Sequence, residues 1–123
     1  MHAIDIDPAM IETATENARR AGIQTIRFIL RAVAEHGTRM ESECADLVLL
    51  FILHFSDRRV MLAEASRILR PSGRVAIIHW RKDIATPRGP QIEDRPDQAT
   101  ILNSIGGLDL HFDGNSRILE PYH

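Results

Sequence analysis

The chain has one cysteine, 5% aromatic residues, and no uninterrupted apolar run longer than the seven residues from 47 to 53. Each shortage excludes something. One thiol cannot close an internal disulfide, so Cys44 reads as an inert thiol in a reducing, cytoplasmic compartment. Seven apolar residues fall far short of the roughly 20 that cross a bilayer, and no charged-then-apolar leader opens the sequence. No membrane partner is expected. A net charge of −2 supplies no basic face for nucleic acid. The six histidines are scattered without a metal-binding spacing, and no Ser-His-Asp arrangement can be read.

What remains is ordinary globular material, 44% hydrophobic and 26% charged over 123 residues. That length allows one domain with a small core, so residues 1–123 read as a single, partial domain. Along it, strand and helix patterns alternate. Residues 8–21 carry Met10, Ile11, Ala14, Ala18 and Ala21 at helical spacing, with Gly22 as a stop. Residues 24–30 are β-branched and apolar. Residues 46–52 are apolar without alternation, which predicts a strand covered on both faces, as in a parallel sheet. Ser56 or Asp57 opens a helix to residue 69 whose turns are traced by Val60, Ala63 or Glu64, and Ile68. Arg70-Pro71-Ser72-Gly73 is a turn, and residues 74–80 form another strand. Pro87, Pro90 and Pro96 mark a long loop, which predicts a lid, a binding segment or a disordered stretch. A short helix at about 96–105 and weak strands at 108–112 and 117–119 around Asp113-Gly114 complete the pattern. The expected class is α/β, a doubly wound and mostly parallel sheet.

The opening residues are the most informative. Ala3 to Ile6 reads as a strand end, Asp7 as an N-cap, and Pro8 as the first helical residue. Asp5 then lies at the carboxyl end of the strand, where open α/β sheets bind ligands, and its two oxygens can accept from a pair of ribose hydroxyls. The plainer alternative is a carboxylate that only helps Asp7 cap the helix.

Several segments together resemble the class I S-adenosylmethionine-dependent methyltransferases of the small-molecule type. Ala3-Ile4-Asp5-Ile6-Asp7-Pro8-Ala9-Met10 is similar to that family's second-strand motif. Asp46-Leu47-Val48-Leu49-Leu50, followed by Leu53-His54-Phe55, resembles its fourth strand and the loop after it. Glu64-Ala65-Ser66-Arg67-Ile68-Leu69-Arg70-Pro71-Ser72-Gly73-Arg74 resembles the helix-turn that leads into its fifth strand. Thr86-Pro87-Arg88-Gly89-Pro90 and Pro121-Tyr122-His123 resemble loop segments of one bacterial branch.

The resemblance implies S-adenosylmethionine as cofactor and methyl transfer to a small molecule as function. It assigns the ribose to Asp5 and places Met10 beside the adenine. Ile6 and Ala34 line the adenine pocket, and Leu50 meets the cofactor through backbone groups. Met10, Ile6 and Ala34 each retain the alternative of plain packing. Val33 stands about where the family carries an acidic adenine contact, and Glu35 is the nearest carboxylate. His54 reads either as a base or, more simply, as a structural histidine. Trp80 reads as the wall of a substrate pocket or as packing.

The family's glycine-rich first-strand turn does not occur in these 123 residues, so the resemblance implies a sheet incomplete at both ends. Two consequences are expected: weak cofactor binding by these residues alone, and unpaired sheet edges through which a second copy can associate as a homodimer. Two other functions stay open from sequence: a methyltransferase-like remnant or interaction module without catalysis, and an NAD-type oxidoreductase, since an acidic residue after a second strand also holds NAD ribose.

Overall fold

A computed structural model of the chain describes residues 1–51 and 57–123. Its elements are β1 (His2–Asp5), α1 (Pro8–Arg20), β2 (Arg27–Leu30), α2 (Val33–His36), β3 (Ala45–Leu50), α3 (Arg58–Ile68), β4 (Leu69–Ile77), a 3₁₀ turn at Ile92–Asp94 and α4 (Gln98–Ser104). They form two compact units, Met1–Met40 and Glu41–His123.

In Met1–Met40, β1 and β2 pair in parallel, with Asp5 opposite Leu30, and α1 is the crossover between them. The sequence fixes both ends of that helix. The Asp7 side chain accepts from the Ala9 N–H at 2.8 Å and Pro8 sits at the first position, where its missing N–H costs nothing. At the other end the cap residue is Ala21. Gly22 follows it at φ +68°, its N–H donates to Arg19 O, and the Ile23 N–H reaches Ala18 O. This pair of bonds satisfies carbonyls that a helix end leaves unpaired. Of the expected apolar stripe only Ala18 is buried. The strand predicted at 24–30 is shorter, beginning at Arg27.

In Glu41–His123, β3 and β4 pair in parallel through Leu47–Arg74 to Leu50–Ile77. Ala45 pairs with Leu69, so β4 advances five residues while β3 advances two. The four residues opposite Asp46, Arg70-Pro71-Ser72-Gly73, are the predicted turn, held within the bounds of β4 as a bulge. Gly73 allows a close approach there: an added Cβ would stand 2.7 Å from Leu69 Cδ2 and 3.1 Å from the Ala45 and Arg70 carbonyl oxygens, so its neighbours would have to give way. The core is Leu50, Leu62, Ala65 and Ile101, with Val48, Val75 and Ile77 packed against it.

Three expectations are corrected. The buried face of α3 is Leu62, Ala65 and Ile68, at spacings of three, while Val60 is exposed. The strand β3 is not covered on both faces: Leu47 is 55% exposed and Leu49 is exposed as well. No strand forms at 108–112 or 117–119. The Asp113 side chain instead takes the Asn115 N–H at 2.9 Å, closing a local turn, and Phe112, Ile118 and Leu119 stay exposed. The helix cap at Ser56, the strand end at Ile52 and the Leu53-His54-Phe55 segment lie outside the described residues.

Candidate functional site

Asp5 is the last residue of β1. Its Oδ1 accepts the Asp7 N–H at 2.9 Å, and its carbonyl oxygen accepts the Arg31 N–H at 2.7 Å. The side chain is therefore oriented at the carboxyl end of the strand pair, half-buried, with Oδ2 carrying no hydrogen bond among the described residues. The capping alternative is half realised: Asp7 caps α1 directly, and Asp5 braces the Asp7 backbone.

Asp5 and Met10 line one shallow pocket of about 290 Å³, together with Ile4, Ile11, Ala14 and Asn17. Met10 is 50% exposed, so its side chain is not absorbed by a core. Ile6 is 63% exposed and does not line this pocket. Val33 and Ala34 open α2; Val33 is half-buried, Ala34 exposed, and neither lines the pocket. Glu35 is exposed, 3.7 Å from the His36 ring nitrogen Nε2. Leu50 belongs to the other unit, where its side chain is core and its carbonyl accepts the Ile78 N–H at 2.9 Å.

This donor set suits the adenosine half of a nucleoside cofactor. A carboxylate oxygen without a partner accepts a ribose hydroxyl, and an unburied thioether side chain next to it offers a soft apolar surface to a flat base.

In Glu41–His123 the sequence reading missed the group that organises the proline-bearing loop. Arg95 is 3% exposed and has no carboxylate partner among the described residues. Its guanidinium instead donates to Arg81 O at 2.6 Å, Ile84 O at 3.0 Å, Pro90 O from Nε at 3.0 Å, and Thr86 Oγ1 at 2.6 Å. It also lies 5.9 Å from the Trp80 ring centre. Trp80 meets His123 at 4.6 Å and Tyr122 at 6.1 Å between ring centres. Trp80 therefore packs: Gly89, Arg95, Tyr122 and His123 converge on it. The legible signal was an arginine next to prolines in a loop too long to stand without an internal anchor.

A family model described as a methyltransferase domain matches residues 1–77, more than half of the chain. No curated protein matches. Among solved structures, a SAM-dependent methyltransferase from Aquifex aeolicus aligns with 85% of this chain at 21% identity and a TM-score of 0.71. A protein described as a type 11 methyltransferase from Sulfolobus solfataricus aligns with 85% at 23% identity and a TM-score of 0.64. The chain spans 55% and 57% of these two structures, about half their length. At such identities the likeness establishes the fold, which is the Rossmann-like α/β fold expected from the alternating strands and helices. S-adenosylmethionine is the cofactor of this group of proteins. With its residues 1–77 matched by the family model, the chain belongs to the methyltransferase domain family.

Proposed function

We propose that this protein takes part in methyl transfer from S-adenosylmethionine to a small molecule. The observation that carries the reading is Asp5, held at the carboxyl end of β1 by the Asp7 and Arg31 amides with one carboxylate oxygen to spare. In this role Asp5 accepts the ribose hydroxyls and Met10 covers the base. Ile6, Val33 and Ala34 extend the apolar surface around it. The bound cofactor supplies a methyl group already activated on a sulfonium. The protein's part is alignment and exclusion of water rather than covalent chemistry, which agrees with the lack of a nucleophilic triad in the sequence.

A cytoplasmic setting belongs to the same proposal; no helix among the described residues is long and apolar enough to cross a membrane. So does association of two copies: each two-stranded sheet keeps edges without a hydrogen-bonded neighbour among the described residues. Calorimetric titration with S-adenosylmethionine and, separately, with NAD tests the functional reading. Heat with the sulfonium cofactor alone supports it, a weak and unsaturated isotherm included; heat with NAD alone replaces it with the oxidoreductase reading, and no heat with either at ligand concentrations high enough for weak binding favours a remnant.

A further inference from the structure

The stretch Phe28-Ile29-Leu30-Arg31-Ala32-Val33-Ala34 is apolar apart from one charge, Arg31. That residue stands one place past β2, at the carboxyl end of the β1–β2 pair, and its backbone N–H is the one that reaches Asp5 O. Open α/β sheets place their ligands outside this end.

Arg31 is half-buried, and its Nε is shut off from solvent without a hydrogen-bond acceptor. The two terminal nitrogens still reach solvent, and they too carry neither hydrogen bond nor ion pair among the described residues. The other arginine taken out of water, Arg95, donates from all three of its nitrogens. Arg19, Arg20, Arg67, Arg70 and Arg81 each meet a carboxylate.

An arginine that only lays its stem over apolar surface keeps its whole head hydrated. Arg31 does not, and a dry, unpaired donor is rare in a folded chain because the lost water is not replaced. The guanidinium cannot escape by shedding its charge. What it lacks is an anionic acceptor. Five N–H donors in a planar fork suit a phosphate group, whose three oxygens accept from more than one edge of the fork, better than a carboxylate with two.

We infer that Arg31 is a phosphate-binding residue at the carboxyl end of β2, and that Met1–Met40 takes a phosphorylated small molecule there. The terminal nitrogens meet the phosphate first. Rotation of the side chain then turns Nε outward, gives a second bond alongside a terminal nitrogen and relieves the dry donor. Asp5 does not hold the guanidinium back, since the two side chains form no ion pair. S-adenosylmethionine contains no phosphate, so the inference goes beyond the methyl-transfer reading and does not depend on it.

The probe is inorganic phosphate, added to the full chain at fixed ionic strength, with chloride as the control. Arginine side-chain ¹H–¹⁵N spectra of the native chain are expected to show the Arg31 Nε–H resonance moving saturably with phosphate and staying in place with chloride. By ³¹P line broadening, R31Q is expected to weaken binding about tenfold with the fold intact by circular dichroism. R31K recovers only part, because an ammonium is a point charge without the fork. R27Q, at an exposed arginine of the same strand, leaves binding unchanged. A stationary Arg31 resonance, native binding in R31Q, or an equal loss in R27Q overturns the inference. The resonance decides the matter even if R31Q does not fold. Adenosine 5′-monophosphate then identifies the carrier. Binding about tenfold tighter than inorganic phosphate, with the gain lost in D5A, places the phosphate on the ligand of the Asp5 pocket. Affinity no greater than that of phosphate places it on a separate molecule, and Arg31 keeps its role in both cases.

Discussion

Gly89 lies flat against the indole of Trp80: a Cβ at Gly89 would stand 2.7 Å from Cε2 and 2.8 Å from Cδ2 of that ring. Its φ is +96°, a backbone region that side chains disfavour. G89A therefore combines backbone strain with overpacking and is expected to destabilise the chain by about 2–4 kcal/mol. G22A tests the two causes separately. Gly22 also has positive φ, but nothing stands within 4 Å of its added Cβ, so only the backbone cost of about 1 kcal/mol applies. Urea denaturation followed by far-ultraviolet circular dichroism, which reports the helices of both units, measures both. Equal losses for the two variants would contradict the packing argument.

Arg95 is the second anchor of the same loop. Replacing it with methionine keeps much of the volume and removes every donor, leaving the carbonyls of Arg81, Ile84 and Pro90 without their guanidinium partner. A loss of about 3 kcal/mol is expected, since buried acceptors left unpaired cost about 1–3 kcal/mol each and some rehydrate. R95K is expected to recover little of it, because one ammonium cannot reproduce the planar fork that serves four partners. A lysine variant with native stability would show that charge alone holds the loop.

Acid acts on α4 through its cap. The Asp97 side chain accepts the Thr100 N–H at 2.8 Å, and hydrogen bonding from Thr100 holds its carboxyl below the ordinary aspartate range. With the folded-state value depressed, the stabilisation is fully present above the unfolded value of about 3.9 and is lost as pH falls through the folded value. Folding measured by circular dichroism between neutral pH and pH 2 is expected to weaken in that acid window. In D97N the cap is kept without an ionisable group, and the Asp97 share of that acid weakening is expected to disappear.

What could be read from sequence was set by local chemistry. Asp7-Pro8 and Gly22 delimit α1 because capping and left-handed backbone are properties of single residues. The Arg70-Pro71-Ser72-Gly73 turn was legible for the same reason, although its place inside β4 depends on pairing with β3. Asp5 follows from being the last strand residue before a capped helix. The buried face of α3 is not legible because Val60, Ala63 or Glu64, and Ile68 fit helical spacing as well as Leu62, Ala65 and Ile68 do; which row is buried is decided by Ile101 and Leu50. The gathering of Gly89, Arg95, Tyr122 and His123 on Trp80 depends on contacts distant in sequence, such as Arg81 N–H to Tyr122 O at 2.8 Å. No local pattern announces these.

The central claim is that Asp5 holds the ribose of S-adenosylmethionine. Saturation-transfer NMR on the full chain measures it most directly, because it detects weak binding and reports which ligand protons touch the protein. Transfer is expected to be strongest at the ribose and adenine protons, and D5A is expected to abolish it with the fold intact by circular dichroism. Undiminished transfer to the ribose in D5A, or transfer confined to other parts of the ligand, would contradict the assignment.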